Sequence, residues 1–273
     1  MKSALHRNRK KDSQDKKDSP KEVKQILNEQ IETGLGQFKR PRTGLFISSF
    51  AAGLEIGFSI LFMGVIFTLF SDVHDANTLK MYLSLGYPIG FIFVIIGRSE
   101  LFTEHTALAL LPVLNRLVGI RELFVLWGLI YLGNLIGGYF FSFLISEIGP
   151  SVGFIETKAF YHLAHEMVDY DWNIILLSAI LAGWMMGLLG WLVTSSQETI
   201  SRIVVIILVT FIIGLTGLHH CIVGSIEVFC GLITSPDITV MDYLKFQFWA
   251  TVGNIIGGVF FVSILKYSHV RLK

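Results

Sequence analysis

The sequence predicts an all-α membrane protein with six transmembrane helices, built as two inverted three-helix repeats in which spans two and five are broken. Three observations predict this fold class. Long apolar runs hold almost no charge, short motifs recur in the same order in both halves, and each half has an interrupted apolar run. Of 273 residues, 52% are hydrophobic, and the mean hydropathy is +0.62. Roughly 20 apolar residues cross about 30 Å of hydrocarbon, which sets the length sought for each span.

Residues 1–43 carry twelve Lys/Arg against six Asp/Glu and form a basic cytoplasmic arm. Its first twenty residues are expected to be disordered. Residues 21–38 place Val23, Ile26, Leu27, Leu35 and Phe38 at helical spacing, predicting an amphipathic helix on the membrane surface. The arm abuts a membrane span, so anionic lipid, not nucleic acid, is its expected partner.

Residues 44–273 form the six-span domain. Spans are expected near 44–70, 81–114 with a polar knot at 98–106, 121–146, 173–194, 201–234 with a break around His219-His220, and 245–266. The termini are basic. The loop at 147–172 carries Glu147, Glu156, Glu166, Asp169 and Asp171 against Lys158. Basic ends inside and acidic loops outside place both termini in the cytoplasm, with the chain in the plasma (inner) membrane.

GNLIGG at 133–138 recurs as GNIIGG at 253–258, and AAGLEIG at 51–57 is echoed by LAGWMMG at 181–187. Span one thus echoes span four, and span three echoes span six. Three spans per half is an odd number, so the halves enter the membrane in opposite directions, with a substrate site expected at their interface near the midplane.

Backbone that leaves the helix inside hydrocarbon must be buried in protein or line a cavity. The two breaks are therefore where a permeant site belongs, and half-helix N-termini there offer positive potential to an anion. The first break holds Arg98, Glu100, Glu104 and His105 around Leu101-Phe102-Thr103. The second holds His219 and His220, with Glu227 further on. Arg98, Glu100, Glu104 and Glu227 are expected to satisfy one another and tie the loops in place. His220, inside an otherwise apolar run, is the leading functional histidine, ahead of His219 and His105. In the long loop, His162, His165 and Glu166 read as a solvated amphipathic turn. HExxH, GxSxG and P-loop motifs are missing, and no metal-ligand spacing stands out, so neither an enzyme nor a cofactor or metal site is expected.

These residues resemble the formate/nitrite transporters over about residues 40–270, through ELFTEHT after a Gly-rich half-span, GNxxGG in spans three and six, and Gly-x-x-His in span five. RSELFTEHTALALLPV and HCIVGSIEV are most similar to a divergent YfdC-type branch. The resemblance implies an aquaporin-like protomer, a homo-pentamer with one pore per protomer, and small monovalent anions of weak acids as substrates, with a proton shared at a central histidine. It implies that Leu101, Phe102 and Thr103 narrow the inner side of the path, that Tyr87, Phe91 and Ile213 form constrictions, and that His220 is the central histidine with Thr103 as its hydrogen-bonding neighbour. Gly183 and Gly224 stand where better-known members carry Asn. Arg98 replaces a small residue and His219 an acid, changes that alter polar groups near the pore. A neutral-solute or water channel and a non-transporting scaffold are the alternative readings.

Overall fold

The computed structural model describes residues 20–271, so the expected disorder before residue 20 lies outside the described residues. Among those residues every regular element is a helix. The first helix, α1 (Val23–Phe38), buries Ile26 and Leu27 against Leu111 and Trp191. Its apolar edge therefore packs on the bundle. Gly34 is required at that contact, because a Cβ there would stand 2.5 Å from the Leu108 carbonyl oxygen. Lys21 ties the helix start down by donating to Glu29 and, at 2.8 Å, to the Thr194 carbonyl. That lysine holds the Glu29 carboxyl below the usual range.

Span one is α2 (Arg42–Phe70). Span two begins with α3 (Ala76–Gly86), capped by Asp75, and continues as α4 (Pro88–Gly97). Pro88 brings no N–H to the helix, which disturbs the ladder at this point. The Ser59 hydroxyl repairs it from α2, donating to the Tyr87 carbonyl at 2.7 Å and accepting from the Gly90 amide at 2.9 Å. This bridge fixes the turn of helix that carries Tyr87 and Phe91. After the break, α5 (Phe102–Leu108) and α6 (Leu110–Leu114) complete span two, and α7 (Ile120–Val152) is span three.

The helix α8 (Thr157–Val168) lies in the connection to span four, α9 (Trp172–Ser195). Span five is α10 (Thr199–Thr216) and, past its break, α11 (Val223–Thr234). Span six is α12 (Val240–Ile256), a π-helical segment over Gly257–Ile264, and α13 (Leu265–Arg271). Six helical stretches among the described residues are long and apolar enough to cross a membrane.

Three details differ from expectation. The 98–106 knot is non-helical only over residues 98–101, because the Phe102 amide is captured by a side chain and α5 starts there. The 157–168 segment is a full helix, not a solvated turn, because Ala159, Phe160, Leu163, Ala164 and Met167 are buried, mainly against α11. Span three runs to Val152 and ends only where Gly153 adopts φ +86°.

The small residues of the repeated motifs sit where spans cross. A Cβ on Gly53 would meet the Asn134 carbonyl oxygen at 2.2 Å, and one on Gly183 would meet the Asn254 carbonyl oxygen at 2.3 Å. Gly137 would meet the Phe50 carbonyl oxygen at 2.1 Å, and Gly257 that of Ile180 at 2.0 Å. Spans one and three, and spans four and six, therefore pack backbone to backbone, as small residues permit in membranes.

Candidate functional site

Two asparagines, one from each copy of the GNxxGG motif, hold the two breaks. The Asn134 amide donates to the carbonyls of Ser49 and Glu100, both at 2.8 Å, and its Oδ1 accepts from the Phe102 amide at 2.8 Å. The Asn254 amide donates to the carbonyls of Ala179 at 2.8 Å and His219 at 3.0 Å, and its Oδ1 accepts from the Cys221 amide at 2.8 Å. Each thereby satisfies the carbonyl on one side of a break and an amide on the other. Both side chains are fully buried. Sequence reasoning found the motif but missed this role. The signal was present, since Asn occupies the same place in both copies.

Both breaks open with a left-handed residue, Arg98 at φ 61° and Gly217 at φ 65°. Trp127 supports the first by donating its indole N–H to the His105 carbonyl at 3.0 Å. Ser178 supports the second, its hydroxyl within 2.8 Å of His219 Nδ1 and accepting the His219 amide at 3.1 Å.

Between the breaks, Thr103 Oγ1 and His220 Nε2 lie 2.8 Å apart. His220 Nδ1 accepts from the amides of Ile222 at 3.3 Å and Val223 at 3.2 Å. Amide nitrogens only donate, so the neutral ring carries its proton on Nε2, and Nε2–H donates to Thr103. Phe91 meets the His220 ring edge-on at 5.4 Å, and Tyr87 stacks on Phe91 at 5.5 Å. Tyr87, Phe91, Leu101, Phe102 and Ile213 are all buried. Tyr87, Phe91, His220 and Thr103 thus form a buried neck that is apolar but for one polar pair, while the Phe102 ring packs on Trp127 and Tyr131, and Ile213 lies with Tyr87 in a cavity wall.

A cavity lies at each end of this neck. One, of about 280 Å³, is bordered by Tyr87 and Ile213, with Lys80, His162, Glu166 and Glu227 among its walls. The other, of about 460 Å³, is bordered by α1 and by Arg40, Arg98, Glu100, Glu104, His105 and Arg202. Arg202 stands near the start of α10, and Gly214 and Gly217 near its end border the first cavity, so the two cavities lie toward opposite ends of α10. Burial pushes the His162 imidazole below its ordinary pKa, so it is mainly neutral near pH 7.

The expected mutual pairing of Arg98, Glu100, Glu104 and Glu227 is not found. Glu100 pairs with Arg40 and His105. Arg98 is exposed, and Glu227 lies at the opposite cavity. The reason is topological, since Glu227 belongs to the half-span after the second break. Gly183 is no change in the neck either, because it lies at the crossing with the Asn254 backbone. At Gly224, an added Cβ would meet the Phe246 ring at 2.3 Å, so an aromatic side chain fills the room an asparagine would need. Among the described residues, no group of three or more His, Cys, Asp and Glu is placed to hold a metal ion.

The sequence profile described as "Formate/nitrite transporter" matches residues 24–268. The chain is 30% identical over 241 residues to "Inner membrane protein YfdC" of Escherichia coli (strain K12), covering 87% of this chain and 76% of that protein. It is 25% identical over 224 residues to "Nitrite transporter NirC" of Salmonella typhimurium, covering 81% of each. Among solved structures, an "FNT family ion channel" superposes with a TM-score of 0.81 at 22% identity, covering 90% of this chain and 99% of that one. A "Pentameric formate channel with formate bound" superposes with a TM-score of 0.72 at 20% identity, covering 85% and 98%.

Proposed function

The chain belongs to the formate/nitrite transporter family, and from that premise we propose that it is a membrane channel or transporter for small monovalent anions of weak acids. The observation that carries this reading is the Thr103–His220 pair, a hydrogen-bonded donor set inside an apolar neck between two charged cavities. An anion entering the neck loses water, at a cost of several kcal/mol unless something replaces it. His220 Nε2–H and the Thr103 hydroxyl supply that replacement, sharing their protons with the permeant in hydrogen bonds.

The cavity beside α1 faces the cytoplasm in this reading, and the cavity beside α8 faces outward. That orientation follows from the basic arm and the acidic 147–172 loop. The halves insert in opposite directions, since each contributes three spans. The exposed apolar faces of the bundle meet lipid and four further copies in a homo-pentamer, as the name of the formate channel it superposes on suggests.

A hydrogen bond to a charged group contributes about 1.5–3 kcal/mol, so His220→Ala is expected to cut formate or nitrite flux in proteoliposomes by roughly 10- to 100-fold. Flux at the wild-type rate and pH profile in that variant would remove the histidine from the mechanism. Osmotic swelling with water or glycerol, together with no anion flux, would replace the reading with a neutral-solute channel.

A further inference from the structure

His220 donates at Nε2 and is occupied at Nδ1 by two amide hydrogens. A second ring proton at Nδ1 would point at those hydrogens, so this ring is built to share its one proton in a hydrogen bond, not to transfer one. An anion that crosses as its neutral acid needs another proton source.

Glu227 stands in the wall of the 280 Å³ cavity that borders Tyr87 and Ile213 at the end of the neck. It is 4% exposed. Among the described residues no Lys, Arg or His lies within ion-pair distance of it. The titratable groups beside it are Lys80 and Tyr87 from the first half of span two, and His162 and Glu166 from α8. Cys230 lies one turn further along its own helix. Tyr139 of α7 and Tyr243 of α12 are engaged with each other, and Tyr243 also bonds Ser225. A carboxyl this buried, without a cation to pair with, exists for a function by default in a membrane protein.

We propose that Glu227 is the proton-exchange and selectivity site at this entrance to the neck. The proposal rests on the channel reading above. Protonated, Glu227 donates a hydrogen bond to an arriving carboxylate or nitrite. Its O–H bond breaks as an O–H bond forms on the anion, the neutral acid enters the neck, and Glu227 is left as carboxylate. Water in the cavity returns the proton. Ionised, Glu227 repels the next anion. Anions of strong acids cannot take the proton and are turned away.

The test compares wild type with E227Q in proteoliposomes, varying pH on the α8 side at fixed pH on the other. Supply of neutral acid from bulk is the same for both proteins, so the ratio of their fluxes reports the residue. Glutamine donates a hydrogen bond but never carries charge. Glutamine cannot transfer a proton, so E227Q is expected to fall roughly tenfold or more below wild type at about pH 5.5, where proton delivery sets the flux, and to approach it at about pH 8, where the wild-type carboxylate repels anions. Superposable profiles would overturn the proposal. If E227Q does not assemble, infrared difference spectra of the wild-type protein decide, since a protonated carboxyl perturbed by formate is required and its absence overturns the assignment. Wild-type protein that passes no weak acid at any pH overturns the channel reading and this proposal together. Pronounced flux in wild type with an unchanged E227Q profile overturns the proposal alone.

Discussion

Replacing Asn254 with leucine is expected to destabilise the protein by several kcal/mol and to abolish transport. Leucine has nearly the shape of asparagine but none of its hydrogen bonds. The Cys221 amide and the carbonyls of Ala179 and His219 would all lose their partner. Each buried unsatisfied group costs about 1–3 kcal/mol, and no water in a hydrocarbon core stands ready to help. The break that presents His220 would rearrange first, because its backbone outside helix has no ladder to fall back on. Thermal unfolding of the purified protein in detergent, with formate flux in proteoliposomes, checks both parts. Asn134→Leu is expected to match it in stability, since that side chain makes the same three kinds of bond at the first break. A variant that keeps the wild-type Tm would show that the breaks are held by something other than these two amides.

Gly137→Ala and Gly257→Ala are expected to destabilise by about 1–3 kcal/mol each, the usual range for overpacking. A single methyl group does this because its neighbours are main-chain atoms, the carbonyl oxygens of Phe50 and Ile180 at 2.1 Å and 2.0 Å. A side chain could rotate away, but a helix backbone can yield only by moving the span. Gly128→Ala is the control on the same helix as Gly137. Nothing lies within 4 Å of its added Cβ, so it should be neutral or slightly stabilising through helix propensity. Equal melting temperatures for Gly137→Ala and Gly128→Ala would mean that the crossing of spans one and three is looser than described.

Much of the site was legible in the chain itself. The interruptions in spans two and five, and the histidine within the second, stand out because charge and glycine are scarce inside apolar runs. The partners of the charged groups were not legible. Arg40 and Glu100 are 60 positions apart and meet only because α1 folds back under the first break. Glu227 was grouped with the charges of the other break, since sequence distance to His220 says nothing about which end of the neck a half-span reaches. The α8 helix was underrated for a related reason. Its apolar residues cover α11, and that need for cover is invisible until α11 is placed.

The sequence by itself determined the number of spans, the places where two of them break, and the recurrence of short motifs in both halves. These are local properties, set by how long an apolar run must be in lipid and by which residues disturb a helix. Tertiary structure alone decided what the breaks do. Whether a carbonyl in a break is satisfied, which side chain meets the His220 Nε2–H, and which cavity receives Glu227 all depend on groups brought from other spans. Hydrogen bonds act over about 3 Å, and the partners brought to these breaks from other spans lie from 22 to 117 positions away along the chain.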